Sequence, residues 1–159
     1  MSNVGDPLLP RKEDTNAMRR VLVIDDEPDV RLLCRVNLRH AGFDVLEAAG
    51  GEQGIEIASE QPLDAVVLDL MMPRVDGFEV LRLLRAAPYA AEVPVLVLTA
   101  DSRVDGHRVC FELGADAVIT KPFMPEALTE SITRLIATSL EDRVAHRRTA
   151  AEEAKSLFG

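Results

Sequence analysis

The sequence predicts an α/β fold in which a parallel sheet carries helices on both faces, and three observations carry that reading. Short apolar runs without polar alternation, residues 21–24, 65–68, 93–99 and 117–120, have the character of strands buried on both faces. Amphipathic helical patterns alternate with these runs, as crossover connections between parallel strands require. Charges close three of the runs: Asp25 and Asp26 the first, Asp69 the second, Lys121 the last. A strand's closing residue lies at the carboxyl edge of the sheet, where open α/β folds hold ligands, so these four side chains are expected to converge.

The elements follow in order. Residues 1–18 mix proline, glycine and charge without periodicity and read as a disordered leader. After the first strand, Glu27-Pro28 opens a helix whose face is Val30, Leu33, Cys34, Asn37 and Ala41, and Gly42 stops it. The second strand, residues 43–48, is interrupted by Asp44 and Glu47, which places it at an edge. A short helix over 52–60 ends at Gln61-Pro62 and leads to the strand closed by Asp69. Residues 71–77 form a loop with Asp76-Gly77 as its turn, followed by a helix over 78–85 and the strand ending at Thr99. A helix over 101–113 stopped by Gly114, the strand ending at Lys121, and a helix opened by Pro125-Glu126 complete the pattern.

At 159 residues the chain accommodates one ordinary domain plus tails, not two folded domains. Its 47% apolar and 28% charged content excludes disorder of the whole chain. Eighteen basic against 27 acidic residues give a formal charge of −9, which argues against nucleic acid as a direct ligand and favours protein partners. No apolar stretch has the length of a signal peptide or a membrane span, so no membrane contact and a cytoplasmic location are expected. Cys34 and Cys110 lie inside helical patterns and read as buried thiols. His40, His107 and His146 are scattered and are assigned no metal or catalytic role.

The strand-end cluster defines a chemistry. Two carboxylates closing one strand and a third closing another are hard oxygen ligands whose crowding a divalent cation makes favourable, and Mg2+ suits few carboxylates completed by water and phosphate. Lys121 supplies a point charge to a phosphoryl group, and Thr99 supplies a hydroxyl donor beside the small Ala100. An ionised Asp69 needs no general base to attack phosphorus, which makes it the candidate phosphoacceptor.

Four stretches in order, residues 21–28, 68–80, 93–100 and 114–123, resemble the receiver domains of two-component response regulators, and the resemblance spans about residues 19–136. It implies a flavodoxin-like sheet of order 2-1-3-4-5 and phosphorylation of Asp69 by a histidine kinase or histidine phosphotransfer protein. It also implies Mg2+ held by Asp26, Asp69 and the Met71 carbonyl, with Asp25 acting through metal-bound water. Thr99 would be the switch hydroxyl, and the Lys121-Pro122 peptide is expected to be cis. The family's usual inward-turning aromatic on the fifth strand is replaced by Val118, so activation is expected to run through the backbone after Thr99 and the fourth helix. Met71, two residues after Asp69, cannot position a water, which predicts slow loss of the phosphoryl group.

The expected organisation is therefore a leader over 1–18, a receiver over 19–137 and a helical tail over 138–159. The tail reads as a solvated extension of the fifth helix. The alternative is a coil for dimer or partner contact along Leu140, Val144, Arg147, Ala151, Ala154 and Phe158. Because the tail is too small for an output domain, a stand-alone receiver that signals by contact with a downstream protein is expected, with dimerisation through the fourth-helix to fifth-strand face as a further option. A phosphate sink or shuttle would use the same chemistry without conformational readout. A haloacid-dehalogenase-type phosphatase needs an acid two residues after its nucleophile, where this chain has Met71, so no enzymatic turnover beyond the receiver's own phosphorylation and dephosphorylation is expected.

Overall fold

Alternation along each central strand builds two apolar layers. Leu22, Ile24, Val66, Leu68, Val95 and Val97 face one side of the sheet. Val21, Val23, Ala65, Val67, Leu96 and Leu98 face the other. In the computed structural model, which describes residues 19–101 and 103–158, these runs are β1 (Arg20–Ile24), β3 (Ala65–Asp69) and β4 (Val95–Thr99). With β2 (Asp44–Ala48) and β5 (Ala117–Thr120) they form a parallel sheet of order β2-β1-β3-β4-β5. The expected leader lies outside the described residues.

Among the described residues six helices accompany the sheet: α1 (Pro28–His40), α2 (Gly51–Glu60), α3 (Gly77–Ala86), α4 (Val104–Glu112), α5 (Pro125–Ala137) and α6 (Leu140–Phe158). Cys34 and Leu38 of α1 pack with Leu128, Ile132 and Leu135 of α5 on one layer. Ala58 of α2, Val80, Leu81 and Leu84 of α3, and Cys110 of α4 close the other. Both cysteines are buried, and burial pushes Cys34 up to about 12 and Cys110 up to about 11. Edge strand β2 carries the polar interruptions, and Gly42 and Gly114 take the positive φ values that end α1 and α4.

From β1 the chain crosses outward to β2 and returns to β3 on the opposite side of β1. This reversal opens a crevice at the carboxyl ends of β1 and β3, where Asp25 and Asp69 stand. Gly77 closes the loop behind it: a Cβ there would lie 2.4 Å from Leu70 Cα and 2.5 Å from the Asp69 carbonyl oxygen, so only glycine lets α3 start this close to β3.

Two elements depart from the sequence reading. Helix α4 begins at Val104 rather than at 101, because Asp101 Oδ1 accepts the Arg103 amide at 2.9 Å and holds the segment in an Asx turn. The tail does not prolong α5 into solvent. Thr138 is extended, Ser139 Oγ accepts the Asp142 amide at 3.1 Å as the cap of a new helix, and α6 folds back against α4. Its inner face is Arg143, Arg147 and Ala154, whereas Val144 of the expected apolar seam is exposed.

Candidate functional site

The residues that close β1, β3 and β5 meet at one ammonium group. Lys121 Nζ lies 3.1 Å from Asp25 Oδ2, 3.1 Å from Glu27 Oε1 and 3.2 Å from Asp69 Oδ1. Asp25 is 0% and Asp69 1% exposed. Parallel pairing places Asp69 beside Leu98 and Thr99 beside Thr120, and the Lys121 amide donates to the Thr99 carbonyl at 2.7 Å, so lysine and threonine approach the crevice from neighbouring strands.

Each strand end is fixed locally. Asp25 Oδ1 accepts the Glu27 amide at 2.9 Å, and the Asp25 carbonyl accepts Arg31 Nη1 at 2.7 Å, which ties β1 to α1. The Met71 amide donates to Asp69 Oδ1 at 3.3 Å, while the Met71 side chain is 67% exposed. Thr99 is buried, and its Oγ1 accepts the Asp101 amide at 3.0 Å. Ala100 and Pro122 are exposed, and Lys121-Pro122 is cis. Val118 is half-buried against the apolar layer of β1, β3 and β4 that faces α3.

Burial, then the neighbouring Asp25, raise the Asp69 carboxyl to about 6, against the pull of Lys121 and the Met71 amide. Burial alone would lower the Lys121 ammonium, but Asp25, Glu27 and Asp69 outweigh it and raise it above its ordinary value. The ammonium thus stands as the counter-ion of a crowded acid pocket.

The pocket passes a test of fit to a hard cation. Asp25, Glu27 and Asp69 bring ligand oxygens within 4.8 Å of one another. Asp26 Oδ1 and Asp69 Oδ2 are buried without hydrogen-bond partners, an arrangement that costs free energy unless a cation or other donor meets them. Glu27 was not among the residues expected here, although its place after Asp25-Asp26 was the available signal. Asp26 lies outside the convergent triad and enters through its unpartnered oxygen.

A third buried carboxylate, Asp116, escaped the sequence reading. Its Oδ2 accepts Arg85 Nη2 and the Val95 amide at 2.9 Å each and Arg143 Nη1 at 3.2 Å, and its Oδ1 accepts Arg147 Nε at 2.7 Å. These arginines stand 31, 27 and 31 positions away, beyond any local pattern. Arg147 in an otherwise apolar seam was the one available sign, since a guanidinium on an inner face requires a carboxylate.

A parallel sheet of this order with an acid triad and a lysine at its reversal point defines a doubly wound α/β domain with an acidic pocket at its switch point. Residues 21–133 match the family model described as the response regulator receiver domain, and the chain belongs to that family. It is 40% identical over 119 residues to the DNA-binding dual master transcriptional regulator RpaA of Synechocystis, covering 75% of this chain and 49% of that protein. It is 36% identical over 121 residues to the transcriptional regulatory protein PhoP of Bacillus subtilis, covering 76% and 50%. The chain thus spans about half the length of these curated relatives. Among solved structures, Vibrio cholerae chemotaxis protein CheY4 superposes with a TM-score of 0.71 at 30% identity, over 75% of this chain and 99% of that one. The receiver domain of a Pseudomonas aeruginosa sensor histidine kinase, solved with magnesium coordinated in its active-site cleft, gives a TM-score of 0.71 at 29% identity, over 77% and 100%. Receiver domains generally bind Mg2+ in such an acidic pocket and exchange signals with histidine kinases.

Proposed function

We propose that Asp69 accepts a phosphoryl group from a histidine kinase or histidine phosphotransfer protein and that the phosphorylated chain signals through altered protein contacts. The observation that carries the reading is the buried Asp69 carboxylate, one oxygen 3.2 Å from Lys121 and the other without a partner. Asp69 attacks phosphorus with that oxygen, the bond to the donor's histidine nitrogen breaks, and an acyl phosphate forms. Lys121 offsets the charge of the incoming group, and the Thr99 hydroxyl donates to one of its oxygens.

Asp25, Asp26 and Asp69, with the Met71 carbonyl, would hold Mg2+, and Glu27 joins this set. When bound, the ion supplies positive charge that neutralises the phosphoryl oxygens. Direct contacts of the described receiver are proposed to be with proteins: the phosphodonor and a downstream target, with a second copy at the α4 to β5 face as a further partner. The proposed exclusion of nucleic acid applies to these residues alone, because RpaA, of which this chain covers 49%, is described as DNA-binding. No helix among the described residues is long and apolar enough to cross a membrane.

The deciding experiment is incubation with acetyl phosphate and Mg2+ followed by intact mass of the parent and Asp69→Asn. A phosphate adduct on the parent alone is expected, and equal adducts on both proteins would overturn the assignment.

A further inference from the structure

Helix α6 is attached by unusual means. Among its described side chains the buried ones are Arg143 and Ala154, so a guanidinium takes one of these two places. Its attachment is polar: Arg143 and Arg147 reach the buried carboxylate of Asp116, and Arg143 Nη2 donates to the Glu92 carbonyl at 2.7 Å. Asp116 has partners without them, since Arg85 and the Val95 amide already donate to it. Three guanidiniums therefore share one carboxylate. Burial and then the two α6 arginines work against the charge on Arg85, which sits at about 10 although Asp116 supports it, and Arg147 Nη2 is buried without a partner. Such an attachment leaves the receiver's own acid partnered whether α6 is docked or free.

The same α4-facing side of α6 also reaches the route to the proposed phosphorylation site. The Phe111 ring of α4 meets the His146 ring of α6 edge-on, with centroids 6.1 Å apart. One turn earlier on the same face of α4, His107 Nε2 donates to the Asp101 carbonyl at 3.0 Å, and the Asp101 amide is bonded to Thr99 Oγ1. A cavity of about 40 Å³ lined by Phe78, Thr99, Asp101, Gly106 and His107 lies beside the first turn of α4.

From this geometry we infer that α6 is a displaceable intramolecular cover on α4, latched through Arg143 and Arg147 to Asp116, and that occupation of the Asp69 site releases it. This rests on Asp69 being the phosphoacceptor. A Thr99 hydroxyl drawn toward the phosphoryl group carries the Asp101 amide with it, moves the start of α4 through His107, and shifts Phe111 from under His146. Linkage makes the effect reciprocal: freeing α6 favours occupation of Asp69. Any protein that binds the face of α4 beneath α6 must compete with this cover.

Hydrogen exchange of the α6 amides tests the latch in the full chain, with beryllofluoride and Mg2+ as the stand-in for the phosphoryl group and intact mass after acetyl phosphate as a separate check on Asp69. Beryllofluoride should accelerate α6 exchange at least about tenfold relative to α5. The double variant Arg143→Gln, Arg147→Gln should show that acceleration with no ligand added, and should bind beryllofluoride with Mg2+ about three to ten times more tightly than the parent. An acetyl phosphate adduct on Asp69 with unchanged α6 exchange in the beryllofluoride sample overturns the latch and leaves the proposed function standing. No adduct on the parent overturns both, and the mass spectrum tells the two failures apart. Slow α6 exchange in the double variant also overturns the latch.

Discussion

Lys121 Nζ lies 3.2 Å from Asp69 Oδ1, yet the Asp69 carboxyl is held at about 6, above the ordinary carboxylate range. Burial and Asp25 together outweigh the ammonium. In the metal-free protein the folded state therefore holds the Asp69 proton more tightly than the unfolded chain does. The stability this contributes is present below the unfolded value of 3.8 and is lost as pH rises through about 6. Thermal melts without metal should show that loss, and Asp69→Asn should remove it, stabilising the metal-free protein at pH 7 by about 1–2 kcal/mol. Mg2+ should raise the parent's Tm more at pH 7 than at pH 5. Identical pH profiles for parent and variant would contradict the carboxyl's raised value.

Asp26 and Glu27 make a discriminating pair for metal binding. Asp26 Oδ1 is buried without a partner, whereas the side chain of Glu27 is 59% exposed and spends its charge on Lys121 at 3.1 Å. Supplying a ligand to an orphaned buried oxygen gains more than re-pairing an exposed one. Titration calorimetry should find Mg2+ affinity reduced at least about tenfold by Asp26→Asn and less than about threefold by Glu27→Gln. The reverse order would assign the direct ligand to Glu27.

The legible parts of this molecule are those with a local cause. Asp25, Asp69, Thr99 and Lys121 could be placed because each ends a strand, and a strand end in a parallel sheet has a fixed position. Gly42 and Gly114 marked helix ends for the same local reason. The direction of α6 was missed because propensity continues a helix through 138–140, whereas the Ser139 cap on Asp142 starts a new one. Asp116 was missed because what makes it important is three arginines gathered by tertiary folding. The start of α4 was misplaced by reading Asp101 as helical when its carboxylate satisfies the Arg103 amide instead.

Gly77 links packing to the site. A methyl group there would press on Leu70 Cα and the Asp69 carbonyl, both backbone atoms that cannot step aside. Gly77→Ala should cost about 2–4 kcal/mol by urea unfolding. Its phosphorylation by acetyl phosphate should fall further than the folded fraction does, because displaced backbone carries Asp69 with it. A variant with parental stability would show that the loop yields at little cost.

Met71 projects into solvent beside Asp69, so a polar replacement there can be accommodated without repacking. A thioether neither donates nor strongly accepts a hydrogen bond, and it cannot orient a water toward an acyl phosphate. Met71→Asn should shorten the phosphoryl lifetime several-fold while leaving the metal-free Tm close to the parent's. Decay followed by mass after removal of acetyl phosphate checks this, and an unchanged lifetime would sink the proposal.

Val118 bears on the path proposed for the signal. Half-buried against the apolar layer beneath α3, it is too small and too stiff at χ1 to alternate between inward and outward states. Under the proposed function, the bonded line from Thr99 Oγ1 to the Asp101 amide and from the Asp101 carbonyl to His107 would make α4 the element that senses the site. Amide resonances of Ala100, Asp101 and α4 should shift on adding beryllofluoride and Mg2+, and Val118→Ala should leave those shifts in place. Unchanged resonances in the parent's α4 and β5 would refute transmission along this line. Loss of the α4 shifts in Val118→Ala, with binding retained, would return the role to β5.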